Sequence, residues 1–172
     1  MSETKKLHKV FWVWEFEKEE RWLNQMAQEG WALQNAGFST YTFERCEPGE
    51  YIIRMAMLND SANFKEFMEE MDAEKVGACM RWVYFRRKAD LGTFAMFSDI
   101  DSRVAQLDRI GKQLSLICLA NIVIGLTSIS SGHSFAFVNL LCAALLAYGL
   151  GRIHGKKESL ALERQLDRKS VV

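Results

Sequence analysis

Four glutamates fall within the six residues EFEKEE (15–20), and closely spaced carboxyl groups are what paired general acid and base catalysis requires. The following pattern RWLNQMAQEG has the apolar spacing of a helix, and the helix dipole favours acids in a first turn. We therefore interpret the run as a solvated helix start. Because the sequence has no H-E-x-x-H, P-loop or G-x-S-x-G pattern, we expect a protein that is not an enzyme.

The side chains that most often bind metals, those of His and Cys, are scattered along the chain. They are three histidines (His8, His133 and His154) and four cysteines without a C-x-x-C pair (Cys46, Cys79, Cys118 and Cys142). This spacing predicts no metal site and is typical of free thiols in a reducing compartment. The glycines of GLGRIHG follow no predicted strand, so they do not indicate a dinucleotide site. We expect no cofactor.

The strongest signal is a run without Asp, Glu, Lys or Arg at residues 113–151, although 26% of the chain is charged. A bilayer crossing needs about 20 apolar residues, and the small polar cluster SSGHS divides the run in two. We predict a transmembrane helical hairpin over 113–153, with spans at 114–129 and 135–153. A helical hairpin buried in the core of a soluble dimer is the alternative.

Basic residues flank both spans, and the connection between the spans has none. They are Arg103, Arg109 and Lys112 before the first span and Arg152, Lys156 and Lys157 after the second. Short loops rich in Lys and Arg stay on the cytoplasmic side. We therefore expect both termini in the cytoplasm, a basic tail at 154–172 and no cleavable signal peptide.

Small and polar residues recur on the two spans. They are Asn121, Gly125 and Ser128 on the first and Asn139, Ala143, Ala147 and Gly151 on the second. Small side chains let helix backbones approach, and an intramembrane asparagine seeks a hydrogen-bond partner. We predict that these residues pack transmembrane helices together; a polar pathway for an ion or solute is the alternative.

Residues 1–92 have the pattern of a cytoplasmic α+β domain. KVFWVWEF predicts a strand, EKEERWLNQMAQEG a helix, and WALQNAG and FSTYTFER two more strands. We expect Gly30 to end the helix and Trp31 to fold back on its last turn. A shift of 42 positions pairs Trp22 with Phe64, which predicts a second helix, NDSANFKEFMEEMDA. We interpret 8–46 and 50–88 as two β-α-β-β repeats in one antiparallel sheet of about six strands with two helices on one face.

The predicted strands are apolar on both sides, and the helices cover only one face of the sheet. The other face is our predicted ligand or partner surface, with the candidates Trp12, Trp14, Tyr41, Tyr51, Trp82 and Tyr84. A small molecule, a protein partner, a second protomer or a stalk helix predicted over 93–112 could cover it. The stalk has a seam-like spacing that favours a homo-oligomer. Core packing is the alternative for each aromatic residue.

The charge distribution bears on possible partners. By count, residues 1–98 hold 13 Lys and Arg against 16 Asp and Glu, and residues 99–172 hold 9 against 6. A mildly acidic domain argues against binding to nucleic acid. The basic excess beside the spans predicts contact with membrane lipid.

The runs EERWLNQMAQEGWALQNAGFSTYTFERCEPGEYIIR and RWVYFRRKADLGTFAMFSDIDSR resemble the bacterial family filed as domain of unknown function 2812, over about residues 8–110. The W-L-N-x-M-A-x-x-G-W core carries the resemblance. Members are commonly small proteins with membrane segments after the domain, often encoded beside PadR-like repressors. The resemblance therefore implies a protein of the bacterial inner or plasma membrane with a regulatory or stress-linked role, and it supplies no catalytic residues.

Two functions remain at this point. The first is a membrane-anchored cytoplasmic binding or sensing module of regulatory type, whose aromatic face takes an apolar or cationic small molecule or a peptide. The alternative is a structural, oligomeric membrane protein that assembles through the aromatic face and the hairpin.

Overall fold

The computed structural model describes residues 3–57, 68–94, 100–131 and 136–170. The chain forms two units, Met1–Met96 and Phe97–Val172. Within the described residues, the first unit contains six strands and one complete helix, and the second contains two long apolar helices. The predicted α+β class, followed by two long apolar helices, is confirmed.

The first unit contains two three-stranded antiparallel sheets. Its elements are β1 (Thr4–His8), α1 (Phe16–Gln28), β2 (Trp31–Ala36), β3 (Thr40–Arg45), β4 (Tyr51–Met57), β5 (Glu74–Cys79) and β6 (Trp82–Lys88). The strand orders are β1-β3-β2 and β4-β6-β5, so the last strand of each group lies in the centre. The sequence predicts one sheet of about six strands, whereas the structure has two.

The two sheets meet along their outer strands β2 and β5. A Cβ atom on Gly77 of β5 would come within 2.8 Å of the Ala36 backbone nitrogen of β2. Each of the two strands carries an irregularity, between Leu33 and Asn35 in β2 and between Lys75 and Gly77 in β5. An extra residue bends a strand and disrupts its hydrogen-bond ladder. The bulges therefore explain why the sheets abut without sharing a ladder.

The first strand lies earlier than the sequence pattern predicts. β1 comprises Thr4–His8, and the run KVFWVWEF forms a loop, a single 3₁₀ turn at Val13–Glu15 and the first residue of α1. Phe11 in this run packs against Trp22 of α1 at 5.6 Å between ring centroids, and against Tyr41 of β3 at 6.4 Å. Aromatic packing on α1 draws the run out of the sheet, and pairing with β3 makes a strand of the polar segment TKKLH.

Helix α1 ends as predicted, and the tryptophan after it begins the next strand. Gly30 has a φ of +82°, the left-handed conformation that favours glycine at a helix end. Trp31 belongs to β2, where the cations of Lys5 and Arg45 lie 5.2 Å and 5.0 Å from its ring centroid. The predicted second helix lies mostly outside the described residues. Of its described residues, 68–73, only 68–70 are helical, and Met68 is buried.

The second unit is an antiparallel helical hairpin of α2 (Ile100–Ser130) and α3 (Ala136–Ser170). Helix α2 is about 46 Å long at 1.5 Å per residue. It runs without a break from the predicted stalk into the first predicted span, and α3 continues from the second span into the predicted tail. The connection that contains His133 lies outside the described residues.

Candidate functional site

A buried carboxylate joins α1 to both sheets. Glu19 is 7% exposed, and its Oε1 atom accepts hydrogen bonds from the hydroxyl groups of Tyr41 at 2.7 Å and Tyr84 at 2.6 Å. Tyr41 lies in β3 and Tyr84 in β6, the central strands of the two sheets. One oxygen atom therefore holds the helix and the middle of each sheet together.

Burial raises the pKa values of Glu19, Tyr41 and Tyr84. Desolvation raises the pKa of Glu19, although the hydrogen bonds from Tyr84 and Tyr41 act in the opposite direction. Burial and the neighbouring Glu19 carboxylate raise the pKa of both tyrosines, so their hydroxyl groups remain protonated donors. The interpretation of EFEKEE as a solvated helix start is wrong at this position. Glu17 of the same run is exposed.

A second polar group on α1 covers the free edge of β4. The Asn24 side chain exchanges two hydrogen bonds with the Ile53 backbone, and the Met55 backbone N–H donates to Glu20 Oε2 at 2.9 Å. Burial raises the pKa of Glu20, against the opposing influence of the Met55 hydrogen bond and the Arg54 charge. β4 is an outer strand, so α1 satisfies backbone groups that would otherwise be open to strand pairing.

Arg86 of β6 bridges the two sheets. Its guanidinium donates to Glu74 Oε2 at 2.7 Å, to the Leu33 carbonyl oxygen at 3.2 Å, and to Glu44. The Tyr51 ring stacks on the same guanidinium at 4.8 Å. Arginine suits this position because its planar fork serves several acceptors at once.

Two arginines hold the segment where the first unit ends. Arg54 Nε donates to the Phe94 carbonyl oxygen at 2.8 Å, and Arg54 Nη1 lies 3.2 Å from Glu20 Oε1. Arg87 donates to the Leu91 carbonyl oxygen at 2.8 Å. The Phe94 side chain is buried. The chain is therefore fixed to the edge of β4 at the end of this described stretch.

The structure does not bring the six predicted surface aromatics together on an open face. Tyr41 and Tyr84 are buried at Glu19, and Tyr51 lies against Arg86. Two of the tryptophans are buried as well, Trp14 against Trp12 and Trp82 against Phe16. Trp12 is 49% exposed and is the most open of the six. A ligand role for the set stays a prediction.

A different apolar surface lies at one end of the first unit, and we call it the apolar rim. Its members are Val10, Trp12, Val13, Phe38 and Met80. The Lys9 backbone N–H donates to the Ser39 carbonyl oxygen, so the loop before α1 lies beside the β2–β3 turn. The stacking of Phe16 on Trp82 brings the same region to the start of β6. Phe38 is 76% exposed and Met80 84% exposed at the two hairpin turns.

The buried seam of the helical hairpin includes some of the predicted packing residues. Gly125 and Ala143 are buried, Asn121, Ser128 and Asn139 are half-buried, and Ala147 and Gly151 are exposed. Residues four apart on an α-helix advance about 40° per step, so a strict four-residue repeat leaves the contact face. The buried positions of α3 instead include Ala143, Gly149, Ile153 and Leu160.

Two contacts define how closely the helices approach. A Cβ atom on Gly125 would come within 2.8 Å of Leu140 Cδ2, so any larger residue there would force the Leu140 side chain to move. The Cys118 thiol donates to the Ala143 carbonyl oxygen at 3.4 Å across the hairpin. The Asn121 amide donates to the Ile117 carbonyl oxygen of its own helix, not across the hairpin as its predicted packing role implies.

Both helices are long and apolar enough to cross a membrane. The most apolar windows of α2 and α3 are only 17% and 22% buried within the structure. The core helix of a soluble protein is mostly buried, so most of this apolar surface needs another cover. Lys157 pairs with Asp108 at the charged end of the hairpin.

A known family matches most of the first unit and part of α2. The family described as "Protein of unknown function (DUF2812)" matches residues 15–120, more than half of the chain. The chain belongs to the DUF2812 family. No curated protein and no solved structure matches it.

The DUF2812 match ends at residue 120, inside the candidate membrane span, so it includes α1, β2–β6 and much of α2. Within the described part of this DUF2812 chain, no three His, Cys, Asp or Glu side chains are grouped as metal ligands. The described residues of the first unit form structural polar clusters and an exposed apolar rim.

Several structural residues of the DUF2812 domain were not predicted from the sequence. Glu19 could have been found, because it lies four positions before Leu23 and seven before Met26, on the same helix face. Asn24 and Arg86 gave no such signal. Their partners, Ile53 and Leu33, lie 29 and 53 positions away and depend on how the sheets are placed.

Proposed function

We propose that this DUF2812 protein is a membrane-anchored cytoplasmic binding module of regulatory type. The α2–α3 hairpin crosses the membrane and tethers the α+β domain, and no catalytic step is part of the proposal. The exposed apolar faces of both helices support the anchor, since lipid is the cover that a charge-free surface of this length requires.

The orientation of the hairpin follows from its charges. The ion pair between Asp108 and Lys157 brings the charged ends of the two helices to the same end of the hairpin. Basic residues favour the cytoplasmic side, so both termini are cytoplasmic in this proposal. Ser131, which lies at the opposite end of α2, is then on the other side of the membrane.

The apolar rim is the observation that carries the binding function. Phe38 and Met80 project from hairpin turns, and Trp12 lies stacked on Trp14 with one side open. Side chains that project in this way act as inserting groups, whereas small molecules bind in concave sites. We therefore assign the rim to a protein partner with an apolar groove, in which a few aromatic anchors supply most of the binding energy.

The binding surface can be tested by site-specific photo-crosslinking in intact cells. A benzophenone amino acid in place of Phe38 should give a crosslinked product with a second protein, and Met80→Ser should reduce its yield. The same probe in place of Gln34, an exposed residue of β2, is the matched control. A crosslinked dimer of this chain would instead support the oligomeric alternative. Absence of any product from position 38 would contradict the proposal that the apolar rim binds a protein partner.

The anchor needs a separate test, which does not depend on the rim. The full chain should stay with the membranes during extraction at alkaline pH. In a variant whose four native cysteines are replaced by alanine, Ser131→Cys should react with a membrane-impermeant maleimide in intact cells, and Ser159→Cys should react only after permeabilisation. Release of the protein by alkali, or the reverse labelling pattern, would contradict the proposed topology.

A further inference from the structure

A groove between α2 and α3 changes in chemistry along its length. Its volume is about 470 Å³, within the range of about 300–1,000 Å³ typical of ligand sites. The charged lip is formed by Asp108, Lys112, His154 and Lys157. The remaining wall is largely apolar and includes Leu116, Leu119, Leu150 and Ile153.

The lining of the groove changes from charged to apolar at the two ends of the run without charged residues, 113–151. Lys112 is the last charged residue before that run, and Leu116, Leu119 and Leu150 lie within it. Leu116 and Leu119 are exposed, so the apolar part of the groove is open along the hairpin surface. The groove therefore has the polarity of a lipid molecule, with a headgroup end and an acyl-chain end.

The charged residues at the lip favour a negatively charged ligand. Lys157 is paired with Asp108, and His154 Nε2 lies 3.9 Å from Glu158 Oε1. Lys112 is exposed and forms no ion pair with an acidic side chain among the described residues, which leaves a lysine ammonium free at the groove. An ammonium at a membrane surface attracts anionic headgroups.

We propose that this groove binds one anionic phospholipid, with its phosphate at Lys112 and an acyl chain along Leu116, Leu119 and Leu150. The inference rests on the proposed membrane anchor. Two small residues, Gly111 and Ser115, also line the groove beside Lys112 and Leu116, and the glycerol backbone would lie against them. A bound lipid would fix the depth of the hairpin in the bilayer.

The test is native mass spectrometry of the detergent-purified full chain incubated with phosphatidylglycerol, phosphatidylcholine or inorganic phosphate. We expect preferential retention of one phosphatidylglycerol. Lys112→Gln should lower that retention by about fivefold, the effect of one lysine against an anionic lipid surface. Arg103→Gln is the matched control, since it removes the same charge from an exposed position of α2 outside the groove.

Each other outcome would overturn the proposal. Equal retention of the two lipids would show no selection for charge, and equal loss in both variants would show a general charge effect. Inorganic phosphate that binds as well as the lipid would assign the lip to a soluble anion. Alkaline extraction separates this failure from failure of the anchor, because a chain that stays in the membrane without selecting a lipid contradicts only the groove.

Discussion

The Asn24 side chain completes the edge of β4 as a strand would: its Nδ2 donates to the Ile53 carbonyl oxygen at 2.8 Å, and the Ile53 N–H donates to its Oδ1 at 2.9 Å. Asn24→Ala should lower the free energy of unfolding by about 2–3 kcal/mol, because it leaves two part-buried backbone groups unsatisfied. Gln25→Ala on the exposed face of α1 should change it by less than about 0.5 kcal/mol. Urea unfolding followed by tryptophan fluorescence measures both, and equal effects would refute a special role for Asn24.

The buried Glu19 predicts a pH dependence of stability. Its pKa is raised above the ordinary value of 4.5, so the folded state binds this proton more tightly than the unfolded state. The stabilisation is complete below the unfolded pKa and is lost as the pH rises through the raised, folded pKa. Glu19→Gln should therefore flatten the fall in stability from pH 4.5 towards neutral pH, while Glu17→Gln at an exposed position should not. Parallel curves for the wild type and Glu19→Gln would contradict the prediction.

The two tyrosines that share the Glu19 oxygen should behave as a coupled pair. Tyr41→Phe and Tyr84→Phe each remove a hydrogen bond to a buried carboxylate, and each should cost about 1.5–3 kcal/mol. The cost of the double variant should differ from the sum by more than about 0.5 kcal/mol, because both hydroxyl groups bond one atom. Chemical unfolding of the four proteins at neutral pH gives the coupling energy, with Tyr51→Phe as a control. Simple additivity would indicate two independent bonds.

The helical hairpin offers a matched pair of glycines. Gly125→Val places its Cβ atom against Leu140 and should separate the helices, whereas a Cβ atom at position 151 would meet no atom within 4 Å. We expect Gly125→Val to lower the melting temperature of the helical signal in detergent and Gly151→Val to leave it nearly unchanged. A larger effect at Gly151 would favour the four-residue packing face predicted from the sequence.

Local patterns in the sequence were sufficient for features that depend on nearby residues. The end of α1 at Gly30 follows from backbone freedom, and the two long apolar helices follow from the missing charges. The division into two sheets was not predictable, because it depends on the close approach of Gly77 to Ala36 and on two bulges. The apolar rim was missed for a related reason. Phe38 and Met80 are isolated apolar residues in turns, and only the fold brings them to the same region as Trp12.

The hydrogen bond from Arg54 to the Phe94 carbonyl oxygen is the contact through which tension on the following chain would first reach the domain. Tension on the chain beyond residue 94 acts first on the Arg54 guanidinium, which is bonded both to the Phe94 carbonyl oxygen and to Glu20 of α1. These side-chain bonds are loaded one after another, whereas the ladder between β4 and β6 shares a load among many backbone bonds. The bonds of Arg54 would therefore break before the ladder between β4 and β6, so the segment that ends at Phe94 would leave the edge of β4 while the sheet stays intact.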